Sequence, residues 1–580
     1  MAKDPRRVHQ SSVDPGLIVL LSIAGLIVLV GLAVDAALNF STRITGQPAE
    51  PVGWNPVAGV LSIATGKVEW TTTATVIAMA LGIGLAAVII AVIMWLMHRS
   101  AGKKRVDKVQ KHLGGKDDTA SLSRSAAITQ AKRWLPDQLA ESHPGLRFGH
   151  IPGHKKKGLY SSWEDLYLVI FGPRMGKTTS QVIPAIVDAP GPVVTTSNKR
   201  DIVDDTVALT RSRGNIYVFD PQRIAPGFDQ ADWFFDPLDM VRREPEKMDS
   251  AAVALADIFL SASRSDGNAG GEAYWENMGR ELLAGFLLAA AVDNRPIGEV
   301  YQWVTDPNDR TPLSILNQHP MWSQQAAGLQ GKYTTADVTR SGIFSQAAQM
   351  AAPLSRAESL KWVTPRDGAQ RFSAEDFVRS RADCCYVLSK EGADNAAALT
   401  TALTAAIMTA AEKYGEECGG RLPVPLVAAL DEAANCVRWP QLPALYSHYG
   451  SRSIILMTIL QSYAQGVNVW GEQGMEALWS ASNITLYGGG VRDDKLLTKM
   501  EALIGEAAEK EKSVSSSKDG RSTSTSYRER KILTVADLAA LQSGRAVVFA
   551  SKRRPLIAEL EPFWERDWPE ETRSKLNIRK

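Results

Sequence analysis

The chain has 580 residues, enough for one large domain and an accessory one. Its 65 basic and 63 acidic residues leave a net charge of +2, which excludes a protein that holds nucleic acid by bulk positive charge. Cys384, Cys385, Cys418 and Cys436 form no C-x-x-C pair, and Pro152-Gly153 separates His150 from His154, so the spacing argues against a disulfide framework, a zinc site or a shared metal face.

Residues 16–38 are almost wholly apolar, with Asp35 near their end, and residues 73–97 form a second such run without charge. Each is long enough to cross a hydrocarbon core of about 30 Å. The first run is too long for the apolar part of a cleaved signal peptide, and a second follows it. Residues 1–98 are therefore expected to be a membrane domain with two transmembrane helices. Lys3, Arg6 and Arg7 precede the first span, and Arg99, Lys103, Lys104, Arg105, Lys108 and Lys111 follow the second. The stretch between carries only Arg43 and Lys67. Basic residues stay on the cytoplasmic side, which places both termini in the cytoplasm and residues 39–72 outside. The cluster at 99–111 reads as a topology signal in contact with lipid headgroups, with DNA contact as the alternative.

Residues 99–150 read as a polar connector with one short helix near 121–140. The apolar run Leu166-Tyr-Leu-Val-Ile-Phe171 then enters the turn Gly172, Pro173, Arg174, Met175, Gly176, and Lys177, Thr178, Thr179 open a helix expected to reach about residue 188. This strand–loop–helix order cradles phosphates on inward-pointing backbone N–H groups. Lys177 would reach the β- and γ-phosphates, and the Thr178 hydroxyl would ligand Mg²⁺. The match departs from the general pattern in two places. Its first glycine comes one place late, with Phe171 in that position, and Pro173 lacks an N–H. A chance Gly-Lys-Thr turn is the alternative, opposed by the preceding strand and by the acidic pair described below.

Strands are expected at 192–196 and 215–219, with a helix at 199–212 between them. Alternation of this kind predicts an α/β fold with a parallel sheet and right-handed crossovers. Residues 247–293 show helical apolar spacing, and 294–372 read as an all-α insertion. The nucleotide-binding domain thus comprises 151–293 and 373–580. In its second part, Cys384–Leu388 reads as a strand and 394–413 as an Ala-rich helix. Pro425-Leu-Val-Ala-Ala-Leu430 is an apolar strand ending in Asp431-Glu432. Asp431 would hold Mg²⁺, directly or through its water, and Glu432 would orient and activate the attacking water. Ile454–Leu460 is a buried strand ending at Gln461. Residues 513–526, rich in Ser and Thr, read as a mobile low-complexity loop.

In order along the chain come two N-terminal spans, Gly172-Pro-Arg-Met-Gly-Lys-Thr-Thr179, Thr196-Ser-Asn-Lys-Arg-Asp201 and Val218-Phe-Asp-Pro-Gln222. Then follow Trp233-Phe-Phe-Asp-Pro-Leu238, Tyr274-Trp275 before a helix, Leu430-Asp-Glu-Ala-Ala-Asn435 and Leu460-Gln-Ser462. With this set the chain resembles the coupling proteins of type IV secretion and conjugation, hexameric ATPases that feed DNA to a membrane channel. The resemblance implies a RecA-like P-loop NTPase domain that uses ATP and Mg²⁺. It also implies a bacterial inner-membrane location, a homohexamer, and single-stranded DNA, its attached relaxase and channel components as partners. It makes Gln461 a sensor of the γ-phosphate, with an ordinary strand-end hydrogen bond as the alternative. It makes Arg452 a finger that completes a neighbouring subunit's site, with a plain surface arginine as the alternative. The all-α insertion would face the cytosol and receive substrate.

The external stretch is short and no acidic C-terminal tail is present, so partner recognition does not carry over from the family. Three other functions share parts of the pattern. A receptor ATPase for secreted protein effectors would have the same site but would ignore nucleic acid. A septal double-stranded DNA translocase would need a winged helix, for which too few residues follow 555. A scaffold that binds nucleotide without turnover would not be expected to keep Asp431-Glu432.

Overall fold

The computed structural model describes residues 32–41, 43–44, 63, 65–66, 70–81, 83–84, 87–88 and 105–578, the last without 229–231, 265–272, 391–395 and 518–519. The chain divides into two compact units, Met1–Lys104 and Arg105–Lys580. In the first, 32–41 and 72–81 are helical. The Ser41 and Thr71 hydroxyls are 2.6 Å apart. Among the described residues no helix is long and apolar enough to cross a membrane. Of the spans expected at 16–38 and 73–97, residues 16–31 of the first and 82, 85–86 and 89–97 of the second lie outside the described residues.

The second unit is built on an eleven-stranded sheet. Its strands, in chain order, begin with β1 (Arg147–Ile151), β2 (His154–Tyr160), β3 (Tyr167–Ile170), β4 (Val193–Ser197) and β5 (Ile216–Phe219). After two short strands outside this sheet, β6 (Trp233–Phe234) and β7 (Gln370–Arg371), come β8 (Cys384–Leu388), β9 (Leu426–Leu430), β10 (Ile454–Leu460) and β11 (Ile484–Tyr487). A separate pair, β12 (Glu506–Ser517) and β13 (Gly520–Lys531), precedes β14 (Arg545–Ala550) and β15 (Leu556–Glu559). The spatial order is β2-β1-β15-β14-β11-β3-β10-β9-β4-β8-β5.

From β11 to β5 every neighbouring pair is parallel. This is the sheet expected from the alternating pattern. Its central strands are covered on both faces, which is why β3, β9 and β10 read as apolar runs interrupted only by Thr458, and every residue in them is buried. The other four strands form an antiparallel wing that ties the connector to the C-terminal segment, with His150 opposite Glu559. Within the connector, the single helix expected near 121–140 is two helices, Arg124–Ala131 and Asp137–Ser142. Pro136 separates them, because a proline lacks the N–H that a continuing helix would use.

Among the described residues, every regular element from Leu238 to Val363 is helical, and the strands on either side of this block, β6 and β7, pair in parallel. The helical block therefore begins before residue 294. Met248–Ser263 and Ala273–Val292 pack against each other, and Ala273–Val292 also packs on Asp337–Met350. The Ala-rich helix runs Ala397–Glu417.

One expectation is corrected. The segment 513–526, read as a mobile loop, belongs to the antiparallel ribbon β12–β13, with Ser513 opposite Ser524 and Ser517 opposite Gly520. Its strands are rich in Ser, Thr and charged residues with no alternating apolar face, which is the composition of a loop.

Candidate functional site

Three strands end side by side at one edge of the parallel sheet. β10 lies between β3 and β9. Ligands gather in the crevice beyond the carboxyl ends of such strands. After β3, the Phe171 N–H donates to the Leu460 carbonyl at 3.1 Å and the Gly172 N–H to the Gly489 carbonyl at 2.9 Å. The loop then turns through left-handed backbone at Arg174 (φ 61°) and Gly176 (φ 83°). A π-helical turn, Thr178–Val182, leads into the helix Ile183–Asp188. Pro173 and Arg174 are exposed, and Met175 is half-buried. The Thr179 hydroxyl donates to the Gly176 carbonyl at 3.2 Å, so it serves the loop itself.

The acidic pair follows β9. Asp431 is 2% exposed and Glu432 5%. Glu432 is left-handed (φ 54°, ψ 43°), a backbone state that costs a non-glycine residue of order 1 kcal/mol or more and clusters at functional sites. The Thr178 hydroxyl donates to Asp431 Oδ2 at 2.7 Å. The Lys177 ammonium donates to Glu432 Oε1 and lies 3.7 Å from Asp431 Oδ1. Gln461, just past β10, donates through Nε2 to Glu432 Oε1 at 2.7 Å. The structure thus brings Lys177, Thr178, Asp431, Glu432 and Gln461 into one hydrogen-bonded group. Burial pushes the Asp431 carboxyl up to about 6; Lys177 opposes this and Glu432 adds to it. Two hard oxygens 2.7 Å apart, one hydroxyl and one carboxylate, suit Mg²⁺ shared with phosphate groups. Among the described residues no group of three His, Cys, Asp or Glu side chains could hold a metal.

Arg452 is not in this group. It precedes β10, while Gln461 follows it, so the length of a seven-residue strand, roughly 23 Å, separates the two ends. Its guanidinium pairs with Glu412 and Glu416 at 2.9 Å each.

Two features escaped the sequence reading. The Thr196 hydroxyl at the end of β4 donates to the Asp431 carbonyl at 2.7 Å and fixes the turn into Glu432. The Thr196–Asp201 motif contained this residue, but nothing local tells which of its polar side chains faces β9. The other is the turn Gly488-Gly489-Gly490, which follows β11 and lies against the phosphate loop. Three successive glycines were the visible signal.

Residues 425–543 match the family described as the TraM recognition site of TraD and TraG. Among solved structures, the unbound bacterial conjugative coupling protein TrwBdeltaN70 is 16% identical, with 70% of this chain and 86% of that one covered and a TM-score of 0.50. Its trigonal form with sulphate gives 16%, 69%, 86% and 0.51. TrwB in complex with ADP and Mg²⁺ gives 16%, 69%, 85% and 0.48. No curated protein matches the chain. At such identity the first two structures speak for the fold, a mixed α/β architecture on a largely parallel sheet. The match over 425–543 agrees with the resemblance to type IV coupling proteins.

Proposed function

We propose that this chain is a type IV coupling ATPase, which hydrolyses ATP with Mg²⁺ to drive single-stranded DNA and its attached relaxase into a secretion channel. One observation carries the reading. Lys177 and Thr178 meet Asp431, Glu432 and Gln461 across about 250 residues of sequence, each contact of the kind that phosphoryl transfer needs.

The chemistry follows from what each group can exchange. Lys177 would give up Glu432 for the β- and γ-phosphates. Glu432, freed from the lysine, would accept a proton from the attacking water as its oxygen approaches phosphorus. The Gln461 amide, already on Glu432, would hold that water or the γ-phosphate in line. Thr178 and Asp431 would hold Mg²⁺, which neutralises charge on the phosphates. No arginine of the group stabilises the transition state within one chain, so Arg452 of a neighbouring subunit would do so, and the working form would be a homohexamer. With spans at 16–38 and 73–97, the protein would sit in the bacterial inner membrane. Its termini and ATPase unit would be cytoplasmic, with basic residues at 99–111 on lipid headgroups.

The test is ATP turnover by the full-length protein with and without single-stranded DNA, beside Lys177→Ala. DNA-stimulated turnover that vanishes in the variant is the expected result. Lys177-dependent turnover indifferent to DNA would assign the motor to protein cargo, and no turnover would overturn the ATPase reading.

A further inference from the structure

The phosphate loop does not hold its shape alone. The turn Gly488-Gly489-Gly490 at the end of β11 is laid against it, backbone to backbone. Beyond the hydrogen bond from Gly172 to the Gly489 carbonyl, a Cβ on Gly172 would collide with the Gly490 carbonyl oxygen. A Cβ on Gly490 would come 2.8 Å from Met175 Cγ and 3.3 Å from Gly172 Cα. On Gly489 it would come 2.7 Å from the Leu541 carbonyl oxygen and 3.2 Å from Met175 Cε, and on Gly488 2.5 Å from the Phe171 ring. Close approach requires glycine at each of these positions, and at Gly489 (φ 80°) and Gly490 (φ 74°) the backbone angle does so as well.

The contacts run the length of the loop's entry, from Phe171 through Gly172 to Met175, immediately before Lys177. The same turn touches Leu541, so it lies between the loop and the segment that carries the ribbon β12–β13. Met175 lies against the turn two residues before Lys177, so the turn bears on where the loop stands relative to Asp431 and Glu432.

We propose that Gly488-Gly489-Gly490 is a positioning element for the phosphate loop: it holds Gly172 and Met175 in place, and through them the register of Lys177. The effect on turnover rests on the nucleotide reading above; the effect on loop geometry does not.

Gly505 supplies the control. It lies in the same segment with φ 80°, close to the 74° of Gly490, but a Cβ there meets nothing within 4 Å. Gly490→Ala and Gly505→Ala therefore both put a Cβ on a positive-φ backbone, Gly505 in the extended region at ψ −161° that alanine also disfavours, and they differ in contact with the loop. Two readouts on the full-length protein test the proposal: amide hydrogen exchange of the peptide 171–179 without nucleotide, and ATP turnover. Gly490→Ala is expected to speed exchange in that peptide and to lower kcat/KM by about 10²-fold, the loss typical of an ångström-scale displacement. Gly505→Ala is expected to leave both within about twofold of wild type. Adding Met175→Ala to Gly490→Ala removes the 2.8 Å contact and is expected to recover part of the turnover, with exchange between the two extremes. This double variant also keeps the comparison decidable if Gly490→Ala alone does not fold. Equal exchange in the Gly490 and Gly505 variants would overturn the proposal. Absence of Lys177-dependent turnover in the wild type would defeat the nucleotide reading, and the exchange comparison would still decide the clamp.

Discussion

Lys177 and Arg452 are both cations held by two carboxylates, and they sit at opposite ends of the sheet. The partners of Lys177 are nearly inaccessible, at 3% and 5% side-chain exposure, while those of Arg452 are 27% and 60% exposed. A buried pair is strongly destabilised when one member is removed, because the other is left charged without water. A half-exposed pair gives up little. On the proposed reading, the difference would separate a residue locked into its own subunit's chemistry from one able to leave its partners for a neighbour's nucleotide.

Activity gives the sharpest way to break this contrast. Arg452→Ala should lower kcat by about 10³-fold or more, as loss of an arginine finger does, with nucleotide affinity retained in a binding assay. A plain surface arginine would leave kcat unchanged. Stability comes next. Lys177→Ala should cost about 3 kcal/mol in denaturant unfolding of the nucleotide-free protein, and Arg452→Ala less than about 1 kcal/mol. Equal losses would erase the distinction. Gln461→Ala should reduce kcat by about 10²-fold, the usual effect of removing one positioned donor, with little change in KM.

The smallest effect is in pH. Asp431 keeps its proton up to about 6, above its ordinary 3.8. Between these values the native state binds more protons than the unfolded chain, so the stability this group contributes at low pH is lost as pH rises through about 6. Mg²⁺ needs the carboxylate, so Mg²⁺-dependent nucleotide binding should weaken about tenfold per pH unit below about 6. Asp431→Asn should remove that dependence.

What could be read in the sequence follows the same division between local and non-local causes. β3, β9 and β10 were legible because a strand buried on both faces is apolar almost throughout, and Gly-Lys-Thr and Asp-Glu followed two of them. Arg452 and Gln461 flank one strand, so their placement at opposite ends of β10 was implicit in their spacing. The antiparallel wing was harder. β2 is His-Lys-Lys-Lys-Gly-Leu-Tyr, with its first four residues exposed, and only pairing with β1 makes it a strand. The ribbon lacked an apolar face to announce it. Thr196 and the glycine turn act through contacts with β9 and the phosphate loop, which lie far away in the chain.

The most direct test mixes Lys177→Ala and Arg452→Ala subunits of the full-length protein, each inactive alone, and measures ATP turnover across mixing ratios. If Lys177 works within its own subunit and Arg452 in the next, an Arg452→Ala subunit beside a Lys177→Ala subunit has one complete site between them. Turnover should then reappear and peak at intermediate ratios. Mixtures that exchange subunits yet stay as inactive as the separate variants would contradict a site shared between neighbours.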